Sequence, residues 1–461
     1  MIPVVTPEHM RAVDAASSVP VEELIERAGA AVARAAVRMM GGTYGRRVVV
    51  LAGKGNNGAD GRVAARRLAA RGVHVTVVDA ADQPETVAPC DLLIDAAYGT
   101  GFDGLWYGPH PGGAQVLAVD IPSGIDGLTG RASDGVIPAD RTVTFAALKP
   151  GLLFAPGSLL TGTVEVADIG LDVDGGEAGD AIGPVDTWLV EEADVAEWVP
   201  RRSADAHKWR SAVWVIAGSG GMMGAAHLAV RAAQRSGAGM VRVSTPGYAT
   251  DPLAPTEAVR HMLAPTTWAP EVLADLDRFH AVVVGPGLGR SDETTGNVRQ
   301  LVARSPLPVV VDGDGLFALA WNPEGPAAVV RDRQAATILT PHDGEFALLR
   351  GARTGADRMA AVRSLAADLR CVVLLKGPTT IVAEPHGRVL LVASGDERLA
   401  TAGTGDVLAG IIGALVAQQV PEFEAAAAGA WIHGRAARSG VSRGLVAGDL
   451  PDLIPPVLGA L

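Results

Sequence analysis

Two glycine-rich stretches of the 461-residue sequence contain the residue types that phosphate and proton chemistry require. The stretch ATAGTGDVLAGIIGALVA (400–417) leads from small residues through Asp406 into an apolar helix. Free backbone N–H groups and the helix dipole favour an anion at such a helix start. If that anion is a bound phosphate, a second negative charge on Asp406 beside it is unfavourable as structure alone, because the two charges repel. We interpret Asp406 as a base that takes the proton of an attacking hydroxyl during phosphoryl transfer. The alternative is an ordinary acidic residue in the first turn of a helix.

The second stretch, LAGKGNNGADG (51–61), follows a short apolar run and also opens a helix. Two later runs end in polar residues: DLLIDAAYGTGFDG contains Asp95, and LAVDIPSGIDG contains Asp120 and Ser123. Neighbouring parallel strands would bring Asn57, Asp95 and Ser123 to one edge of a sheet. Oxygen ligands with little charge suit an alkali cation such as potassium. The alternative is that each residue only caps a turn.

Several further loops of the C-terminal half are predicted to lie at strand ends. GSGGMMGAAHLA (218–229) and GPGLG (285–289) are glycine loops, and LTPHDGEF places His342 and Glu345 after a strand. LLKGPTTIV places Lys376 where its ammonium could meet a nucleotide phosphate. Turns, a hydrogen-bonded histidine and a surface lysine are the structural alternatives. Because all these loops converge on one sheet edge, we favour a nucleotide site.

The elements that must position these residues alternate between apolar strands and amphipathic helices. RVVVLA (47–52) predicts a buried strand and GADGRVAARRLAARG (58–72) predicts a helix, and the same alternation resumes at SAVWVIAG (211–218). Such βαβ patterns predict parallel sheets with helices on both faces. The pattern breaks in the acidic, glycine-rich region 171–206. We therefore predict two α/β domains, 1–188 and 189–461.

The composition restricts the classes of partner. The formal net charge of −12 disfavours a nucleic acid, and no apolar run reaches the length of a membrane span. The two cysteines, Cys90 and Cys371, are too far apart in sequence to predict a zinc site. The N-terminal residues lack the pattern of a secretory signal, so we expect a cytoplasmic location.

Three motifs of the N-terminal half carry a family resemblance. GKGNNGADG, DAAYGTGFDG and VDIPSGIDG arrive in the order seen in the NAD(P)H-hydrate epimerase family, which the chain resembles over about residues 1–170. Lys54 stands where that family usually has proline, and Ala59 where it has glycine. The resemblance implies that Asn57, Asp95 and Ser123 hold K⁺ and that Asp120 is the acid and base. It implies a substrate site of Asn56, Asn57, Gly58, Ala59, Asp60, Gly99, Thr100, Gly101, Phe102, Asp103, Gly104, Leu105 and Asp120.

The C-terminal motifs carry a second resemblance. AGTGD is similar to the phosphate motif of the ribokinase-like fold. Together with GSGGMMGAA, GPGLG, TPHDGEF and KGPTT it resembles the ADP/ATP-dependent NAD(P)H-hydrate dehydratases over residues 189–461. This resemblance implies hydrated-cofactor contacts from Ala225, Gly287, His342 and Asp406. It implies nucleotide contacts from Lys376, Gly377, Pro378, Thr379, Thr380 and Gly405.

The two resemblances together imply a bifunctional repair enzyme. A Rossmann-like parallel-sheet domain would epimerise hydrated NAD(P)H (NAD(P)HX), and a ribokinase-like domain would dehydrate the S epimer with ADP, or ATP, and Mg²⁺. We expect small-molecule substrates, no nucleic acid or membrane partner, and a homo-oligomer. The competing hypothesis is a ribokinase-like vitamin or sugar kinase that carries an N-terminal nucleotide-binding domain.

Overall fold

Buried apolar runs form the strands of two separate sheets. The computed structural model divides into two compact units, residues 2–187 and residues 188–461 together with Met1. The described residues are 1–102, 104–174, 183–248, 255 and 257–461. Among them, no helix is long and apolar enough to cross a bilayer.

The first unit is built on six parallel strands. The six are β2 (Arg47–Ala52), β3 (His74–Asp79), β4 (Leu92–Ala96), β5 (Gln115–Val119), β6 (Arg141–Phe145) and β7 (Thr163–Ala167), and a short strand outside this sheet, β1 (Ile2–Pro3), precedes them in the chain. The sheet order is β3-β2-β4-β5-β6-β7, and every neighbouring pair is parallel. The chain leaves β2 toward β3 and later returns to β4 on the other side. This reversal between β2 and β4 is where open α/β sheets bind ligands.

Helices cover this sheet as the apolar periodicity predicts. They are α1 (Pro7–Ala16), α2 (Val21–Met40) and α3 (Asn56–Ala69), so α3 begins two residues before the predicted helix 58–72. The side chain of Thr6 caps α1 by accepting a hydrogen bond from the His9 amide. The alanine-rich face of α2 packs in the same apolar core as Val48, Val50 and Ile94 of the sheet.

The second unit contains a larger sheet. Its strands are β8 (Thr187–Leu189, which spans the division), β9 (Ala212–Ile216), β10 (Met240–Ser244), β11 (Val259–Arg260), β12 (Ala281–Val284), β13 (Val309–Val311), β14 (Thr337–Leu339), β15 (Val372–Leu375), β16 (Thr380–Ala383) and β17 (Val389–Val392). Nine of them run in the order β17-β16-β15-β14-β13-β12-β9-β10-β11. The pairs from β15 to β11 are parallel, whereas β15-β16 and β16-β17 are antiparallel. CVVLLKGPTTIVA is therefore a hairpin at one side of a largely parallel sheet.

Helices pack on both faces of the second sheet. They are α4 (Glu192–Trp198), α5 (Met223–Arg235), α6 (Ala269–Ala274), α7 (Asp292–Arg304), α8 (Asp314–Ala320), α9 (Ala327–Val330), α10 (Asp343–Arg350), α11 (Arg358–Leu369), α12 (Thr404–Ala417), α13 (Glu422–Ser439) and α14 (Leu450–Ala460). Every residue of α12 from Val407 to Ala417 is buried, so this helix is apolar on all sides and lies inside the unit. The predicted α/β class is confirmed.

Close packing of α12 gives a first prediction. A Cβ atom on Gly410 would lie 2.1 Å from the carbonyl oxygen of Ala229 in α5, which is far inside van der Waals contact. We expect Gly410→Ala to lower the free energy of unfolding by about 1–3 kcal/mol, because the two helices must separate. Urea unfolding monitored by circular dichroism measures this.

Gly296→Ala is the matched control, since Gly296 also lies within a helix but has open space around its Cβ position. This control should be neutral or more stable by up to about 1 kcal/mol, because alanine favours helix. Equal stability of Gly410→Ala and the wild type would contradict the packing described here.

Candidate active sites

The first candidate site lies at the reversal point between β2 and β4. A Cβ on Gly53 would lie 1.9 Å from the Ala97 carbonyl oxygen, and one on Gly58 would lie 1.9 Å from the Gly53 carbonyl oxygen. Only glycine allows the loop after β2, the start of α3 and the loop after β4 to approach so closely. The sequence therefore builds a narrow backbone junction at the carboxyl ends of the two strands.

A cavity of about 720 Å³ opens at this junction. Its wall is apolar where α1 and α2 contribute Met10, Val21, Leu24 and Ile25. Among the predicted site residues, those on the lining are Asn56, Asn57, Asp60, Gly99, Thr100, Gly101, Phe102 and Asp120. Gly58, Ala59, Gly104 and Leu105 are described residues that are not on the lining. Asp103 lies outside the described residues.

Asp120 is held at the polar end of this cavity by a buried lysine. Its Oδ1 accepts hydrogen bonds from Lys149 Nζ at 2.6 Å and from Thr144 Oγ1 at 2.9 Å. Lys149 is only 1% exposed. The Asp120 backbone adopts a φ of +66°, which turns the chain sharply at the end of β5. Oδ2 of Asp120 lies toward Gly99, 3.4 Å from the position of a Cβ there, so this oxygen faces the loop after β4.

Two more carboxyl groups line the same cavity. Asp60 is buried, and desolvation raises its pKa to about 8, with the negative charges of Asp120 and Asp14 adding to the effect. Burial also raises the pKa of Asp14, an effect that the Lys149 ammonium opposes. At neutral pH the Asp60 carboxyl therefore carries a proton, whereas Asp120 is held against a cation. The cavity therefore contains a carboxyl group that can donate a proton, Asp60, and a second carboxyl group, Asp120, that is paired with a lysine.

The residues predicted to hold potassium are partly brought together. Asp95 and Ser123 are fully buried, and Asp95 accepts hydrogen bonds from the Ser123 hydroxyl at 2.7 Å and the Ser123 amide at 2.9 Å. Burial raises the pKa of the Asp95 carboxyl. Both side-chain polar atoms of Asn57 are buried without a hydrogen-bond partner among the described residues. A buried carboxylate and an unpartnered amide oxygen are donors that suit a weakly bound cation. In the described part of the chain, no group of three or more His, Cys, Asp or Glu is placed to hold a metal.

The raised pKa of Asp60 makes the stability of the first unit depend on pH. Because the folded-state pKa of about 8 exceeds the unfolded value of 3.8, the unfolded chain releases this proton first as pH rises. Stability is therefore lost between about pH 4 and pH 8. We expect Asp60→Asn to abolish this loss. The free energy of unfolding of the variant minus that of the wild type should therefore increase by about 2–4 kcal/mol from pH 5 to pH 8.5.

Calorimetry of the intact chain at the two pH values measures this advantage. Asp82→Asn, at an exposed position of the same unit, is the matched control. A constant difference between Asp60→Asn and the wild type across this range would contradict a proton held by Asp60.

The second candidate site lies at the corresponding reversal of the larger sheet, between β9 and β12. The Gly218 amide donates to the Pro286 carbonyl at 2.8 Å, and the Ser219 hydroxyl donates to the Gly287 carbonyl at 2.8 Å. These bonds join the two glycine loops predicted from the sequence. Gly287 has a φ of +60°, and a Cβ on it would lie 2.9 Å from the Cβ of Ala225. Ala225 and Gly287 are thus in one loop cluster.

Lys376 lies at the end of β15 among carboxylates. Its Nζ is 2.8 Å from Oδ1 of the buried Asp312 and 3.7 Å from Oε2 of Glu345. Burial alone would lower the pKa of Lys376, but Asp312 and Glu345 outweigh it and the net pKa is raised. The Thr340 hydroxyl donates to the same Asp312 oxygen at 2.8 Å. The ammonium is therefore charged and held in place before any ligand arrives.

Asp406 is the third residue of α12, directly beside this lysine. A Cβ on the preceding Gly405 would lie 3.2 Å from Lys376 Nζ and 3.5 Å from Asp312 Oδ2. Burial, followed by the charge of Asp312, raises the pKa of Asp406 to about 7. Gly403 is the N-cap residue of α12, with a φ of +91°, and it has no side chain that could accept hydrogen bonds from the helix. The first amides of the helix are therefore left for a ligand. A base with a pKa near neutrality thus lies at an anion-binding helix end.

The other predicted residues occupy the edge of this site. His342 is exposed and caps α10, where its Nδ1 accepts hydrogen bonds from the amides of Gly344 and Glu345. Gly377 and Pro378 are exposed in the β15–β16 turn, Thr379 is buried, and Thr380 begins β16. The structure thus gathers Lys376, Gly405 and Asp406, and gives His342 a capping contact at a neighbouring strand end.

No role was assigned from the sequence to two residues that are central to these sites. Lys149 is one of only four lysines in a chain with 35 arginines, and that scarcity was a signal. Asp312 follows the apolar run PLPVVV in the same way that Asp95 follows DLLI, so its position at a strand end was also readable. In both cases the partner is far away in the sequence, so the ion pair itself was not predictable.

The matches to known protein families fall separately on the two units. A family model described as NAD(P)H-hydrate dehydratase matches residues 213–456, and one described as YjeF-related protein N-terminus matches residues 21–88 and 78–151. The bifunctional NAD(P)H-hydrate repair enzyme Nnr of Moorella thermoacetica is 36% identical over an alignment of 500 positions, which covers 95% of this chain and 93% of that protein. This chain belongs to the family of bifunctional NAD(P)H-hydrate repair enzymes.

Other relatives agree with this membership. The repair enzyme Nnr of Mycobacterium leprae is 37% identical, with 91% of this chain and 90% of that protein covered. The ADP/ATP-dependent NAD(P)H-hydrate dehydratase of Bacillus subtilis, co-crystallised with ATP/Mg²⁺, is 29% identical with a TM-score of 0.50. It covers 59% of this chain and 97% of its own length. The predicted family and fold class are confirmed, and the competing hypothesis of a vitamin or sugar kinase is not favoured.

Proposed function

We propose that residues 1–188 interconvert the R and S epimers of NAD(P)HX and that residues 189–461 convert the S epimer to NAD(P)H at the expense of ADP. The observation that carries the proposal is the position of Asp406. A carboxylate with a pKa of about 7 lies at an open helix N-terminus beside the Lys376 ammonium. A base and an anion-binding helix end in contact are what phosphoryl transfer to a hydroxyl requires.

The dehydration proceeds in two steps. Asp406 takes the proton from the C6 hydroxyl of (S)-NAD(P)HX, and the oxygen attacks the terminal phosphorus of ADP. The bond from that phosphorus to the bridging oxygen breaks, and AMP leaves with the electron pair. The lone pair of the ring nitrogen then expels the new C6 phosphate, and loss of the C5 proton restores the double bond of NAD(P)H. Phosphate leaves far more readily than hydroxide, which is what the phosphorylation achieves.

Charge balance supports a divalent cation on the nucleotide. Asp312, Glu345 and Asp406 lie around Lys376, and burial raises the pKa of both Glu345 and Asp406, so the further negative charge of an ADP anion is unfavourable in this site. Mg²⁺ binds phosphate and carboxylate oxygens, and Asp312 and Asp406 are carboxylates of that type. When bound, the ion neutralises the developing phosphate charge. Lys376 would contribute a fixed positive charge next to the same phosphates.

Epimerisation is assigned to the cavity of the first unit. Inversion at C6 requires the C–O bond to break and re-form, or the ring to open reversibly, and both routes need proton transfer. Asp60, protonated at neutral pH, can donate to the departing hydroxyl, and Asp120 can accept a proton from the returning water. We assign K⁺ to Asn57, Asp95 and Ser123, where it would offset the buried Asp95 charge and hold the loop after β4.

The cellular setting follows from the substrates. Because NAD(P)HX is a damaged form of soluble cytoplasmic cofactors, we infer a cytoplasmic location. We also expect a homo-oligomer, which light scattering of the intact chain would test directly.

Product stoichiometry tests the dehydratase proposal. With (S)-NADHX, ADP and Mg²⁺, the intact chain should form NADH, AMP and phosphate in a ratio of about one to one to one, because each turnover transfers and then releases one phosphoryl group. Chromatography and a phosphate assay measure the three products. A stable phosphorylated product without NADH would instead identify a small-molecule kinase.

A further inference from the structure

Lys149 donates every hydrogen of its ammonium group to oxygen atoms of the first unit. Its Nζ lies 2.6 Å from Oδ1 of Asp120, 2.8 Å from Oγ1 of Thr144 and 3.0 Å from the carbonyl oxygen of Phe145. An ammonium has three donors, so none is left for a substrate. Lys149 is on the lining of the cavity but is only 1% exposed, so it acts on the site through the groups that it holds.

The two carboxylate oxygens of Asp120 have different surroundings. Oδ1 accepts one hydrogen bond from Lys149 and a second, at 2.9 Å, from the Thr144 hydroxyl. Oδ2 faces the loop at Gly99 and forms no hydrogen bond within the described part of the chain. Each oxygen of a carboxylate has about two lone-pair positions, so both positions of Oδ1 are occupied. Oδ2 is therefore the oxygen that is available for proton transfer.

The backbone next to these groups has an unusual conformation at two neighbouring strand ends. Asp120 directly follows β5 with a φ of +66°, and Ala146 directly follows the adjacent parallel strand β6 with a φ of +62°. Residues other than glycine rarely adopt such a φ, and the surrounding structure must offset the strain. Both residues lie at the strand ends that bring Asp120 and Lys149 together. The ion pair and the two strained turns therefore form one local arrangement.

We infer that Lys149 and Thr144 are positioning residues for epimerisation, which hold Oδ1 of Asp120 so that Oδ2 exchanges the proton with the hydrated cofactor. The inference rests on the proposed epimerase function. Without the two hydrogen bonds the carboxylate could rotate and present either oxygen in several orientations. Neither positioning residue exchanges a proton itself, because Lys149 donates all three of its hydrogens to the protein and Thr144 donates its only one to Asp120.

The test is the rate of R-to-S conversion of NADHX by the intact chain without ADP or ATP, followed by chromatography. Thr144→Val removes one hydrogen bond to Oδ1 with almost no change in shape and should lower kcat by about 3–10-fold. Lys149→Met also removes the charge and should lower kcat by about 10–100-fold, because the carboxylate is no longer held in place. KM should stay within about twofold of the wild-type value in both variants, because neither residue contacts the substrate.

Two further variants separate a positioning role from a structural one. Thr144→Ser keeps the hydroxyl and should restore most of the rate that Thr144→Val loses. Thr142→Val is the matched control, because Thr142 lies on the same strand and is equally buried. Its hydroxyl donates to the Thr161 carbonyl at 2.7 Å and does not contact Asp120, so this variant should keep the wild-type kcat. Calorimetry of each variant checks that the first unit is folded.

The outcomes separate the inference from the epimerase function. An equal fall in kcat for Thr144→Val and Thr142→Val would mean that both hydroxyls only stabilise the strand, and would overturn the inference. An unchanged kcat for Thr144→Val and Lys149→Met, or a rise in KM alone, would also overturn it while leaving the epimerase function intact. If Lys149→Met does not fold, the Thr144 variants decide. The absence of any R-to-S conversion by the wild type would overturn the epimerase function itself, and the inference with it.

Discussion

Replacing Asp406 by asparagine is expected to lower the rate of NADH restoration from (S)-NADHX by about 10²–10⁴-fold, because general-base catalysis contributes that much. Asparagine has nearly the same shape, so the contacts at the start of α12 should survive. The wild-type rate should also rise with pH through about 7 as Asp406 loses its proton, and this dependence should vanish from the residual activity of the variant. Absorbance at 340 nm with ADP and Mg²⁺ measures both effects.

Asp292→Asn is the matched control for Asp406→Asn. Asp292 is also an aspartate in the first turn of a helix of the second unit, but it is exposed. This control should retain the wild-type rate. A rate for Asp406→Asn within threefold of the wild type would show that Asp406 is only a residue of a helix terminus, which is the structural alternative raised by the sequence.

Replacing Asp120 by asparagine is expected to slow R-to-S epimerisation by at least about 10²-fold while dehydration of the S epimer continues. Two effects combine. The variant loses the carboxylate that faces Gly99, and it leaves the buried Lys149 ammonium without its counter-charge. Unpaired buried charge destabilises a fold by several kcal/mol, so calorimetry must confirm that the first unit is still folded at the assay temperature.

The two epimers provide an internal control for Asp120→Asn. In a mixture of R and S NADHX with ADP, only the S portion should return quickly to NADH. Asp134→Asn, at an exposed position of the same unit, should restore both portions. Rapid conversion of the R portion by Asp120→Asn would remove Asp120 from the proton transfers.

Residues close to their strand ends were predictable from the sequence. Asp95, Asp120 and Ser123 each follow an apolar run, so their meeting at one sheet edge follows from parallel pairing. The same reasoning located Lys376 beside the start of α12. The loops that follow these strands are short, so each polar residue must lie close to the end of the strand that precedes it. For this reason the positions predicted from the motifs agree with the structure.

Ion pairs between residues that are far apart in the sequence were not predictable. Lys149 and Asp120 are 29 residues apart, and Lys376 and Asp312 are 64 apart, so no local pattern links them. The raised pKa values of Asp60 and Asp406 arise from burial, which depends on the packing of the whole unit. The antiparallel pairing of β15 with β16 was also not predicted, because a short apolar strand does not encode whether its neighbour in the sheet is parallel.

The most direct test of the whole account is absorbance at 340 nm on a mixture of R and S NADHX, using the intact chain with ADP and Mg²⁺. The account predicts that all of the NADH returns, because the first unit feeds the R epimer to the second unit as the S epimer. Recovery of only the S portion would contradict the epimerase assignment. No recovery with ADP or with ATP would contradict the dehydratase assignment, which is the central claim.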